Sequence, residues 1–160
     1  DLELLLNALQ GSGGYAVQHA VLDARDFGVC QQRRRLYFVG FRLPDQQEAG
    51  TRYQWPTGSI AQEAPRIRDL LEPDHVLPPD CWLSPSQWGR ILERTEGKAA
   101  RPSGRGGRLA RLDGYARTLG ACYRTSDRFS EFVLRELCEE PHKMRPRFFS
   151  QRECARLQGF

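Results

Sequence analysis

Three consecutive arginines, Arg33-Arg34-Arg35, run directly into Leu36-Tyr-Phe-Val-Gly-Phe41, a stretch apolar on both faces. Such a run predicts a strand buried on both sides. Three cations at the mouth of a buried strand need a reason, because each carries a strong desolvation cost. Side chains alternate along an extended entry, so Arg33 and Arg35 project to one face and Arg34 to the other. Two guanidinium groups then converge on one site. Arginine has no accessible neutral form, so the pair supplies fixed charge and directional donors.

The flanking pattern is mixed α/β. Leu2, Leu5, Leu6 and Leu9 recur on one helix face, with Gly11 to Gly14 as the stop. Tyr15 to Leu22 alternates loosely and predicts a first strand, joined to the second by the polar connection Asp23 to Arg34. From Pro44 to about Lys143 no period is sustained, and nine of the ten prolines fall there. Within that stretch Tyr53-Gln-Trp-Pro56 predicts a turn and Arg66 to Leu71 a helical turn. Ser84 to Arg94 predicts a helix with Ser84 as its cap and Pro85 in its first turn. Arg117 to Tyr123 and Phe129 to Leu134 predict strands. Ser150-x-x-Glu153 is a capping box before a last helix ending at Gly159.

Residues 101 to 117 hold Arg101, Arg105, Arg108, Arg111 and Arg117 against Asp113, so this segment carries the whole net charge of +4. Arginine among glycines suits phosphate contact. A solvated Arg/Gly surface loop is the equal alternative. The five cysteines are widely spaced, form no CxxC pair and have no histidine at metal-ligand spacing, which excludes a disulfide framework or structural zinc as an expectation. No apolar run approaches the ~20 residues needed to span a bilayer. A soluble protein of a reducing compartment is expected, and the ends at Asp1 and Phe160 look like cuts in a longer chain. Trp55, Trp82 and Trp88 are expected in local cores, and His19, His75 and His142 show no catalytic spacing.

Asp26-Phe-Gly-Val-Cys-Gln-Gln-Arg-Arg-Arg-Leu-Tyr-Phe-Val-Gly40 resembles the motif of cytosine-C5 methyltransferases that reads aspartate-aromatic-glycine-hydrophobic-proline-glutamine-x-arginine-x-arginine before a buried strand. Arg152-Glu-Cys-Ala-Arg-Leu-Gln-Gly-Phe160 is similar to that family's ninth conserved motif. The two occur in the family's order, separated by the variable stretch where the family keeps its target-recognition domain. The resemblance implies the C-terminal part of a Rossmann-like methyltransferase fold at 1–43, a small irregular recognition lobe at 44–143, and a return segment with hinge helix at 144–160.

The resemblance further implies DNA cytosine-C5 methylation with S-adenosylmethionine as methyl donor. Arg35 would reach the O2 edge of a flipped cytosine, while Arg33 and Gln31 brace the loop and backbone. Ala116-Arg117-Thr118-Leu119 is similar to the family's threonine-leucine segment, which nominates Arg117 and Thr118 as phosphate contacts beside Arg105 and Arg108. Arg152 and Glu153 are expected to lock the lobes together rather than touch DNA. Cys30 stands where the family has proline. It is read as a packing residue and not the nucleophile, since it lies inside the arginine motif. No candidate thiolate, acid, glycine-rich cofactor turn or metal site is found, so cofactor and chemistry are expected mainly from a missing N-terminal half, and the isolated chain is expected to be inactive. The parent is expected to be a monomer, nuclear in a eukaryote and in the cytoplasm or nucleoid of a bacterium. The tRNA-methylating branch of the family and a non-catalytic nucleic-acid-binding module are the rivals. Arg117-Thr-Leu-Gly120, in place of a cysteine-phenylalanine-threonine triplet, favours DNA.

Overall fold

The computed structural model describes residues 2–11, 15–42, 53–58, 64–103, 107–128, 130–135 and 139–160. Helix α1 (Leu2–Gly11) leads into strand β1 (Tyr15–Asp23), which pairs antiparallel with β3 (Arg34–Arg42) from Tyr15↔Arg42 to Asp23↔Arg34. Between them lies a short 3-10 turn, Ala24–Phe27, and the two-residue strand β2 (Gln31–Gln32).

Burial of β3 on both faces is not observed. Leu36 is 40% and Tyr37 49% exposed, and Val21 across the ribbon is 53% exposed. A two-stranded ribbon has two open faces; α1 packs near β1, and Tyr53, Trp55 and Pro56 lie beside β3. The turn expected at Tyr53 to Pro56 is also absent. That stretch is irregular, with the Tyr53 and Trp55 rings edge to face at 4.9 Å and Tyr53 set 6.3 Å from Phe41 on β3.

The rest is a lobe with little regular structure: α2 (Ile67–Leu70), α3 (Pro85–Arg94), β4 (Ala116–Arg117) and α4 (Gln151–Leu157). Helix α3 starts where its chemistry requires. The Ser84 hydroxyl accepts from the Gln87 N–H, the Gln87 side chain accepts in return from the Ser84 N–H, and Pro85 occupies the first turn. Ser150 and Glu153 form the same reciprocal pair at α4, and Gly159 takes φ +92 just past that helix.

The strands predicted at 117–123 and 129–134 are corrected by the structure. Only Ala116–Arg117 forms a strand in the first, followed by turns. The second makes isolated bridges, Leu109↔Phe132 and Val133↔Arg147. The backbone there is nevertheless extended, and its side chains alternate. Leu109, Phe132 and Phe148 enter one core with Leu83, Trp88, Ile91, Leu92 and Ala99. Ala110, Val133 and Phe149, one residue on, enter a second core with Cys30, Ile67, Ala116 and Leu157. These three segments form the wall between two cores. Trp88 is fully buried and donates its indole N–H to the Pro141 carbonyl, whereas Trp55 and Trp82 are half-buried.

Arg147, in the middle of that wall, is 1% exposed and makes a two-pronged ion pair with the 0%-exposed Glu153, Nη1 to Oε2 at 2.8 Å and Nη2 to Oε1 at 2.9 Å. Glu153 also accepts from the Glu72 and Ser150 N–H groups. Removing one partner strands a buried charge, a loss of about 3–5 kcal/mol. Glu153→Ala is therefore expected to lower unfolding free energy by about that amount in denaturant titration, against under about 1 kcal/mol for the exposed Arg152→Ala. Equal effects from the two variants would contradict this placement.

Candidate functional site

The arginine loop is built from β1 outward. The buried Asp23 carboxylate accepts from the Arg25 N–H at 3.1 Å and its guanidinium at 2.8 Å, and this pairing holds the carboxyl below the usual carboxylate range. That side chain caps the 3-10 turn, which ends on Gly28 at φ +79, a left-handed conformation suited to glycine. The Ala24 N–H then reaches across to the Arg33 carbonyl at 3.0 Å, closing the loop just before β3. Arg25 lies 5.8 Å and Arg66 4.7 Å from the Tyr115 ring, so one aromatic side chain ties the loop to the lobe.

Arg33, half-buried, lines an open hollow of about 380 Å³ with Leu22, Phe27, Tyr37, Val39 and Trp55. Both odd- and even-numbered residues of β3 (Tyr37, Phe38 and Val39) line it, and Arg35 is not among the lining residues. Arg35 pairs directly across from Leu22, which is in that lining. It is exposed and, among the described residues, donates only to the Arg34 carbonyl, at 2.8 Å. Gln31 is 1% exposed, and its side-chain Nε2 has no hydrogen-bond partner among the described residues. Cys30 is buried in the second core with its thiol toward the Gly114 carbonyl, and burial pushes that thiol up.

The lobe meets this loop through a parallel pair that the sequence did not announce. Gln31 and Gln32 of β2 lie beside Ala116 and Arg117 of β4, the Ala116 N–H donates to the Cys30 carbonyl, and the Thr118 hydroxyl donates to the Gln32 carbonyl at 2.8 Å. Arg117 and Thr118 are exposed. Thr118 has already used its one hydroxyl proton, so a bond from that oxygen to phosphate would require breaking the link to Gln32. Arg108 is half-buried with its Nε unpartnered among the described residues. Burial, then the nearby Arg117 and Arg94 charges, push its guanidinium pKa down. Arg105 lies outside the described residues.

A family description, C-5 cytosine-specific DNA methylase, matches residues 1–160. The chain belongs to that family. Two relatives are similar along nearly its whole length. The Type II methyltransferase M1.ScrFI of Lactococcus lactis subsp. cremoris is 34% identical over 158 residues, covering 98% of this chain and 37% of its own. The Type II methyltransferase M.NlaX of Neisseria lactamica is 33% identical over 162 residues, covering 99% of this chain and 46% of its own. Among solved structures, the Dnmt2 methyltransferase of S. pombe superposes with TM-score 0.63 at 17% identity, covering all of this chain and 51% of that one. The Entamoeba histolytica methyltransferase EhMeth gives 0.62 at 13% identity, covering 99% of this chain and 46% of that one. The fold is thus the mixed α/β fold of a methyltransferase fragment. This family member spans about half or less of the length of the proteins it matches.

Several residues of this arrangement escaped the sequence reading. Asp23 and Arg25, two apart at a strand end, had a local signal in the side-chain capping of a turn. Tyr115 had none, since its partners Arg25 and Arg66 are distant in sequence. Because the Cys30 thiol is buried and its pKa raised, this chain should show slow alkylation there. Iodoacetamide at pH 8, followed by peptide mass mapping, is expected to label the half-exposed Cys122 while leaving Cys30 and Cys81 protected until denaturant is added. Labelling of native Cys30 as fast as Cys122 would exclude its packing role.

Proposed function

We propose that this chain is the C-terminal part of a DNA (cytosine-5-)-methyltransferase, in which Arg35, Arg33 and Gln31 serve a flipped cytosine and the lobe binds DNA. The observation that carries the reading is the β2–β4 pair, which joins the arginine loop to the segment bearing Arg117 and Thr118. A reaction at C5 of a base inside a duplex requires that base to leave the stack, at a cost of roughly a few kcal/mol. A rigid link between phosphate-holding and base-holding groups lets the first locate the second. Arg108 and Arg117 supply the positive charge for the backbone, and Arg105 is proposed for the same contact.

At the base, attack on C6 by a nucleophile pushes electron density onto the ring and its O2. A guanidinium already in place stabilises that density without reorganisation. In this reading Arg35, exposed and without a carboxylate partner among the described residues, is the donor to O2. Arg33, half-buried and fixed by its carbonyl bond to Ala24, braces the loop. Cys30 is not the nucleophile, because its thiol is buried within the core.

S-adenosylmethionine, when bound, supplies the methyl group. The hollow beside Arg33 does not fit it, since a sulfonium would meet a guanidinium there, and Asp23 in its lining is already paired with Arg25. The cofactor and nucleophile are assigned to the remainder of the enzyme, which is proposed to cover the exposed ribbon faces around Val21, Leu36 and Tyr37.

The full-length protein carrying this chain is expected to methylate duplex DNA at cytosine C5. Arg35→Ala is expected to reduce kcat by about 10²–10³-fold, the usual loss of one transition-state donor, with little change in KM for DNA. Methyl transfer to tRNA alone would move the protein to the tRNA branch. DNA binding without transfer would leave a binding module, and wild-type kcat in Arg35→Ala would remove the role given to Arg35.

A further inference from the structure

Glu131 is a charged residue inside a lobe whose neighbouring positions are core. It is 3% exposed, with Phe132 and Val133 beside it entering the two cores. Burial pushes its carboxyl above the ordinary glutamate range. Its Oε2 accepts from the backbone N–H of Arg117 at 3.1 Å. The Ser103 hydroxyl lies beside the carboxyl and, like the Arg117 N–H, favours its ionised form against the larger effect of burial. No described cation forms a salt bridge with it. A buried acid without a cation is costly, and an apolar residue would pack here without that cost.

The backbone of Glu131 stands at a crossing of segments. Its carbonyl accepts from the Tyr123 hydroxyl at 2.9 Å, and that hydroxyl accepts in turn from the Phe149 N–H. The next residue, Phe132, bonds both ways to the Arg108–Ala110 segment. The Glu131 side chain is therefore held by the wall between the cores and reaches from it to β4. On the far side of β4, Gln32 pairs with Arg117 and its carbonyl receives the Thr118 hydroxyl, one residue before Arg33.

We propose that Glu131 is a positioning residue that, through the Arg117 amide, holds β4 in register with β2 and so sets where Arg33 and Arg35 stand relative to DNA bound at Arg108 and Arg117. The proposal rests on the functional reading above for its catalytic consequence. The mechanical part, that Glu131 steadies the arginine loop, stands on the contacts alone. What Glu131 contributes is an acceptor at a fixed place, so glutamine should replace it and leucine should not.

The test uses the full-length protein as wild type, Glu131→Gln, Glu131→Leu and, as a surface variant that leaves the core untouched, Thr118→Val. Amide hydrogen exchange is read by mass spectrometry over 31–35 and 116–118, beside thermal unfolding, kcat and KM on duplex DNA. Glu131→Leu is expected to exchange about tenfold or more faster in both segments, not in α3, and to lose about tenfold or more in kcat. Glu131→Gln should stay within about twofold of wild type in both readouts. Thr118→Val should speed exchange at 31–35 even if Glu131→Leu does not fold. Unchanged exchange at 31–35 in Glu131→Leu or, should it not fold, in Thr118→Val overturns the proposal, as does a glutamine variant as impaired as the leucine one. A wild type that exchanges as expected but does not methylate duplex DNA would instead sink the functional reading and leave the mechanical link standing.

Discussion

Arg147 and Glu153 meet in the interior of the lobe, and most of its organisation passes through them. The pair is six residues apart, spanning the chain from the wall between the cores to the first turn of α4. Each Glu153 oxygen is used twice, Oε1 by Arg147 and the Glu72 amide, Oε2 by Arg147 and the Ser150 amide. A buried ion pair is stable only when such additional bonds satisfy it. Here the carboxylate that neutralises Arg147 is also the reciprocal half of the α4 capping box. The helix start, the Glu72 loop and the central extended segment are consequently fixed together, which a hydrophobic pair of similar volume could not do.

Around that pair the lobe substitutes alternation for a sheet. Leu109, Phe132 and Phe148 face one core while Ala110, Val133 and Phe149 face the other, yet the ladder between them is broken into single bridges. Pro146 has no N–H to extend it. Such a wall needs each side chain to fill its place, since few backbone bonds enforce register.

The link between this lobe and the arginine loop is small but directional. Two parallel residue pairs, the Thr118 hydroxyl bond, and the Tyr115 ring with the Arg25 guanidinium nearby join residues more than eighty positions apart. On the other side, the ribbon of β1 and β3 keeps Val21, Leu36 and Tyr37 in solvent. The chain is thus well knit where lobe meets loop and open where the ribbon faces outward.

What the sequence by itself determined was local. The Ser84 and Ser150 caps, the α1 face and the two ribbon strands follow from periodicity and short-range hydrogen bonding. The family was legible because Gln31, Arg33 and Arg35, and then Arg152 to Phe160, keep their motifs in order. Tertiary structure alone decided the rest. It broke the expected strands at 117–123 and 129–134, since strand pairing needs partners that no local pattern specifies. It left β3 exposed, because burial depends on what covers a ribbon and not on its composition. It brought Glu131 to Arg117, and Gln32 to Thr118, because a buried hydrogen bond between distant residues exists only once the cores on either side have packed.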